Sequence, residues 1–188
     1  MSGKVYLGRL NEVIGNISVT DSSFNEIDFD EAVRQSIEKI QEAHKNGNKL
    51  MFIGNGGSAA IASHSSTDYF KNGGIRSICF NEATLLTCIG NDYGYEEVFT
   101  KPIEMIAVSG DILIAISSSG KSPNILNAVK SAIGLNCKVI TLSGFSPENP
   151  LRQFGELNFY VPSDKYGYVE LVHQIILHSI VDIMKGYY

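Results

Sequence analysis

Long apolar runs are missing from this sequence of 188 residues. No stretch is long enough to span a bilayer, which excludes a helical membrane protein. The opening MSGKVYLGRLNEVIGN holds no uninterrupted apolar core and no small-residue cleavage site, so no signal peptide and a cytoplasmic location are expected. Basic clusters are missing too: fifteen Lys and Arg stand against twenty Asp and Glu, a formal net charge of −5. Nucleic-acid binding draws on dense positive charge to neutralise phosphates and is disfavoured on that ground. Cysteine is scarce. Cys79, Cys88 and Cys137 are odd in number and far apart, so they make neither a disulfide frame nor a zinc motif and read as reduced, buried thiols. Internal repeats and low-complexity segments are absent as well.

What is present suits one α/β domain over 1–188, with hydrophobic residues at 44% and charged ones at 19%. A helical N-terminal extension is expected over 1–46 and an α/β core over 47–188. In the extension, Leu7, Leu10, Val13 and Ile14 recur at helical spacing before Gly15-Asn16. Thr20–Asn25 reads as a polar linker. A second helix, capped by Asp28 or Asp30, carries Val33, Ile37, Ile40 and Ala43 and stops at Asn46-Gly47-Asn48.

From Lys49 strands and helices alternate. Strands are expected at 50–54, 76–80, 111–117, 138–144 and 157–162. Helices are expected to about 70, over 82–89, 95–107, 123–134, near 149–153 and from about 168 to 185. Five apolar strands separated by helices make a parallel sheet covered on both faces, whose ligands bind at the carboxyl ends of the strands.

The stretch Asp111–Ile125 (DILIAISSSGKSPNI) is a buried strand running into a turn with Ser117, Ser118, Ser119 and Ser122, then a helix opened by Pro123. Unpaired N–H groups at a helix start favour an anion, and the hydroxyls add donors, so phosphate is the expected guest. A nucleotide P-loop would need Gly where Ala115 stands and a metal-holding Asp after the strand at 138–142; neither is there. The loop Gly54-Asn55-Gly56-Gly57-Ser58-Ala59 satisfies the dinucleotide fingerprint, with Glu82 as the nearest acid for a ribose. Common to both readings, glycines such as Gly56 let a ligand approach the backbone while Asn55 and Ser58 offer hydrogen bonds. Two helices then carry polar side chains four apart on one face, His64 with Asp68 and Glu170 with Gln174 and His178, while His173 points elsewhere.

With these motifs laid out, the chain resembles the sugar-isomerase (SIS) family of phosphosugar-binding domains, and within it the phosphoheptose isomerases. The resemblance covers residues 27–188 through GNGGSAA at 54–60, GNDYGY at 90–95, ISSSGKSPN at 116–124 and the Glu-x7-His of the last helix. It implies a flavodoxin-like three-layer α/β/α sandwich and a homotetramer with sites at subunit interfaces. It also implies an aldose–ketose isomerase acting on sedoheptulose 7-phosphate, which supplies heptose for surface polysaccharide. Carried over by position, Ser117, Ser118, Ser119 and Ser122 hold the phosphate. Asn55, Gly56, Ser58, Asp92 and Glu170 contact the sugar, and Asp68 and His178 are the catalytic pair.

The departures are specific: the family's Glu is Asp68, its Gln is Glu170, and its pocket Arg and Asp fall on Asn72 and Gly167, with Ile61 in the turn's acidic position. No cofactor is demanded by the motifs, but His64, Asp68, Glu170 and His178 are donor types that suit one zinc ion per site. The alternatives left standing are a non-catalytic phosphosugar-binding protein and an isomerase of another sugar phosphate.

Overall fold

The computed structural model describes residues 2–187. Helix α1 (Gly3–Gly15) leads into two short strands, β1 (Ser18–Thr20) and β2 (Glu26–Ile27), and then α2 (Phe29–Lys45). Asp28, not Asp30, caps α2 by accepting hydrogen bonds from the backbone N–H groups of Asp30 and Glu31. The alternating region follows as β3 (Leu50–Gly54), α3 (Gly57–Lys71), β4 (Ser77–Cys79), α4 (Ala83–Asp92) and α5 (Thr100–Ile106). It continues through β5 (Ile112–Ser117), α6 (Pro123–Gly134), β6 (Lys138–Ser143), β7 (Leu157–Tyr160) and α7 (Tyr166–Lys185). The helix expected over 95–107 is broken into a 3₁₀ turn at Tyr95–Glu97 and α5.

The sheet has seven strands in the order β2-β1-β7-β6-β5-β3-β4, where five were expected. The five apolar strands are parallel; the extra two join antiparallel at the β7 edge, Ser18 facing Tyr160 and Thr20 facing Asn158. These strands of three and two residues flank the expected linker, inside the stretch expected to be a helical extension, and are too short to show a period. What forms them is the edge itself: β1 occupies the open ladder of β7, and Asn158 donates through Nδ2 to the Thr20 carbonyl at 3.2 Å.

Alternation along the parallel strands sorts the core into two layers. Leu50, Phe52, Ile112, Ile114 and Ile116 face α2, α3 and α7. Met51, Ile53, Leu113 and Ala115 face α4, α5 and α6. The parallel part runs β4-β3-β5-β6-β7, so the chain winds one way from β3 to β4 and the other way from β5 onward. The crevice between β3 and β5, where that direction reverses, is the ligand position of such sheets.

Of the three thiols expected to be buried, Cys137 is buried and Cys79 half-buried, whereas Cys88 on α4 is exposed; all three are free.

His173 on α7 is fully buried, its Nε2 3.1 Å from the Ser143 carbonyl and its Nδ1 without a partner among the described residues. Burial pushes its imidazole down to about 4 from the ordinary 6.5. The unfolded chain therefore takes up a proton below 6.5 that the folded chain refuses until about 4. Stability should be unaffected above pH 6.5 and fall as pH drops through that window, by on the order of 3 kcal/mol. Denaturant titrations from pH 7 to 4 on the parent and His173→Gln check this: the difference between the two should shrink with acidification.

Candidate active site

The loop after β3 and the turn after β5 meet across the switch point, with Gly54 registered against Ile116. Between them lies a cavity of about 250 Å³ lined by Asn55, Gly56, Gly57, Ser58, Ser117, Ser118, Ser119, Ser122, Tyr166 and Glu170. Helices α3, α6 and α7 all begin at this cavity, so three helix N-termini, with their first-turn N–H groups and positive dipole ends, border it. None of the lining residues is Lys or Arg. An anion would be held by hydroxyls and backbone amides alone.

The serine turn is built to a fixed shape. Gly120 adopts φ +61°, its N–H donates to the carbonyl and hydroxyl of Ser117, and its carbonyl accepts from Leu151 N. Ser119 Oγ accepts from Lys121 N, and Ser122 Oγ lies 3.5 Å from Ser117 Oγ. Ser122 stands at the N-cap of α6 yet makes no capping hydrogen bond with its side chain. Its hydroxyl remains turned to the cavity group. Ser118 Oγ is buried with no hydrogen-bond partner among the described residues, an unsatisfied hydroxyl that a bound phosphoryl oxygen would complete.

Asn55 is differently employed. Its Oδ1 accepts from Asn124 Nδ2 at 2.9 Å and from Tyr95 Oη at 3.2 Å, and its Nδ2 donates to Asn124 Oδ1 at 2.9 Å. This reciprocal amide pair staples the glycine loop to the start of α6, leaving one Asn55 N–H for a ligand. Asp92, at the end of α4, is exposed, accepts from Asn91 Nδ2, and is outside the residues lining the serine cavity.

Asp68 and His178 do meet: Asp68 Oδ2 is 3.2 Å from His178 Nδ1. Asn72 Nδ2 donates to the other Asp68 oxygen, and His178 Nε2 is 3.2 Å from His64 Nε2. One imidazole donates to the other across the two Nε2 atoms, and His178 Nδ1 is placed to donate to Asp68 Oδ2. The set runs from α3 to α7 and ends at exposed His64. His64, Asp68 and His178 are also close enough to share a metal ion. Glu170 is not part of that cluster: it is eight residues before His178 on α7, a rise of roughly 12 Å. The four-residue ligand set is therefore split within one chain. Glu170 packs instead against Gly57, where only the absence of a Cβ makes room for its carboxylate.

The serine cavity is not lined by Asp68, His64 or His178. Within one chain the Asp68–His178 pair therefore stands apart from the serine turn: Glu170 meets the start of α3 at Gly57, and His178 meets it eleven residues on at Asp68. Tyr166, which lines the cavity and stacks edge-on to Phe145 at 4.8 Å, was not anticipated, because nothing in the first turn of α7 distinguishes it from a surface aromatic.

This arrangement, a doubly wound, mostly parallel sheet with a hydroxyl-lined cavity at its switch point, is that of an SIS-type sugar-isomerase domain. The SIS-domain pattern matches residues 22–144. The phosphoheptose isomerase of Aliarcobacter butzleri is 37% identical, covering 83% of this chain and 87% of that protein. The phosphoheptose isomerase of Helicobacter pylori is 34% identical over 84% of this chain and 85% of its own. Among solved structures, phosphoheptose isomerase GmhA from Neisseria gonorrhoeae superposes with a TM-score of 0.76 at 30% identity, covering 83% of this chain and 86% of that one. The chain belongs to the SIS-domain family, among its phosphoheptose isomerases.

Proposed function

We propose that the protein interconverts sedoheptulose 7-phosphate and the corresponding aldose 7-phosphate by proton transfer between C1 and C2 through an enediolate. The observation that carries this reading is the coexistence of an unsatisfied hydroxyl cavity for the phosphoryl group with a hydrogen-bonded carboxylate–imidazole pair. The phosphoryl oxygens accept from Ser117, Ser118, Ser119 and Ser122, and Gly56, Ser58 and Glu170 line the space beside them. Asp68 takes the proton from carbon, and His178 supplies and removes the proton at the carbonyl oxygen. Asp68 holds His178 in one tautomer, and Asn72 fixes the Asp68 carboxylate in turn.

The site is completed between copies of the chain, in a homotetramer. One chain keeps the pair apart from the serine cavity, and Leu171 and Ile175 on α7 and Phe70 on α3 are large apolar side chains left exposed in one chain. Asp92 then contributes from the rim of the shared site. We place the enzyme in the cytoplasm, where its three free thiols stay reduced.

A divalent ion fits the pair of imidazoles. Two ligands about 2.05 Å from a tetrahedral zinc lie about 3.3 Å apart, and the His64 and His178 Nε2 atoms are separated by 3.2 Å. Those two nitrogens would hold the ion, with Asp68 either as a third ligand or behind His178 as the carboxylate that orients it. When bound, such an ion polarises a carbonyl oxygen.

The test is incubation with sedoheptulose 7-phosphate, with added zinc and with chelator, followed by product analysis. Conversion to a heptose 7-phosphate is expected. Thermal stabilisation by the substrate with no conversion in either condition would make the protein a phosphosugar binder, and stabilisation only by a hexose phosphate would move the activity to another sugar.

A further inference from the structure

Tyr69 is fully buried, and the chemistry above leaves its hydroxyl without a task. That hydroxyl donates to the Leu177 carbonyl at 3.0 Å, from α3 to α7. Tyr69 follows Asp68 and Leu177 precedes His178, so this bond crosses the two helices at the level where the acid–base pair meets. The ring stands edge-on to Phe52 at 5.5 Å, and Phe52 lies in the middle of β3, registered against Ile114. A continuous path therefore runs from the centre of the sheet through the Tyr69 ring to the α7 backbone. Among the described residues, Tyr69 is the one α3 side chain that holds the backbone of α7 directly; the other polar links between these helices, His64 to His178 and Asp68 to His178, join side chains to side chains.

Helix faces packed by apolar contact alone slide and roll with little directional penalty, whereas a hydroxyl-to-carbonyl bond is directional and short-ranged. A buried hydroxyl also costs free energy if it is left unpaired, so the native register is favoured over neighbouring ones. We propose that Tyr69 is a positioning residue: its hydroxyl sets the register of α7 on α3 and thereby holds Asp68 Oδ2 and His178 Nδ1 at their 3.2 Å separation. The consequence for catalysis rests on the reading of Asp68 and His178 as the acid–base pair; the consequence for geometry does not.

Tyr69→Phe is the test, because it keeps the ring against Phe52 and removes only the donor. Misplacement of a catalytic group by about an ångström costs up to roughly a hundredfold, so a shift of a fraction of that distance should lower kcat about tenfold with KM within twofold of the parent. In parallel, ¹H–¹⁵N spectra of the imidazoles should show the His178 Nδ1–H signal, held by Asp68 in the parent, broadened or moved in the variant. The spectral arm works whether or not the parent turns over heptose phosphate. A parent without turnover removes the isomerase reading and leaves the spectra to decide the register. An unmoved His178 signal, an unchanged kcat in an active parent, or a loss carried by KM alone would overturn the positioning role.

Discussion

His178→Ala should cut turnover of sedoheptulose 7-phosphate by about a hundredfold or more and leave phosphate binding intact. The imidazole is half-exposed, so its loss opens no cavity in the core, but it removes the group that meets Asp68 Oδ2 and His64 Nε2. General acid–base groups contribute roughly 10²–10⁴ in rate, and in the proposed mechanism one ring would serve both as the proton carrier and as a partner that holds the carboxylate. The serine cavity does not include His178, so affinity for inorganic phosphate or a sugar phosphate should stay within a few-fold of the parent. Steady-state kinetics beside calorimetric titration separates the two quantities. Retained turnover would remove His178 from the mechanism, and a parallel loss of phosphate affinity would mean that the imidazole shapes the cavity instead. The neighbouring Asp68 is a shorter acid than the Glu of its family position, which makes its support from Asn72 and His178 part of the same measurement.

Gly120→Ala should collapse phosphate binding and lower stability together. Gly120 has φ +61°, a region that costs an L residue roughly 1–2 kcal/mol. A methyl group there would also overlap the Asn149 carboxamide, with even Asn149 Cβ only 2.9 Å away. Asn149 cannot withdraw freely, because it is buried and its Nδ2 donates to Ser143 Oγ, Gly144 O and Ser146 O. The serine turn must therefore move. Strain and overpacking together amount to about 3 kcal/mol, which corresponds to roughly 6–12 °C of melting temperature for a chain of this size. Sugar-phosphate affinity should fall at least tenfold, since the Ser117, Ser119 and Ser122 hydroxyls lose their common aim. Differential scanning and titration with sedoheptulose 7-phosphate report both effects. A variant that melts early but binds as the parent does would place the phosphate elsewhere.

These two residues also show what could be read in advance. The placing of His178 with Asp68 was legible because an apolar-rich helix that carries a carboxylate, an amide and an imidazole at intervals of four is chemically conspicuous. The serine turn was legible because hydroxyls followed an apolar strand and preceded a proline at a helix start. Asn149 was not, since its importance lies in meeting Gly120 across 29 residues of chain. The staple of Asn55 on Asn124 and Tyr95, the seat of Glu170 against Gly57, and the clamp from Tyr69 to Leu177 are of the same kind. Each depends on a distance between elements that no local pattern carries.

The sequence by itself determined the alternation of strands and helices and the sheet covered on both faces, and it marked the serine turn and the polar groups of α3 and α7. Periodicity and turn chemistry act over a few residues and are written locally. Only the tertiary structure decided that β1 and β2 would fill the β7 edge, that Glu170 would leave the His64, Asp68 and His178 cluster, and that the cluster would stand away from the serine cavity. The physical reason is the rise of α7: groups sharing one helix face are still separated along its axis, and what each can reach depends on the element packed against it.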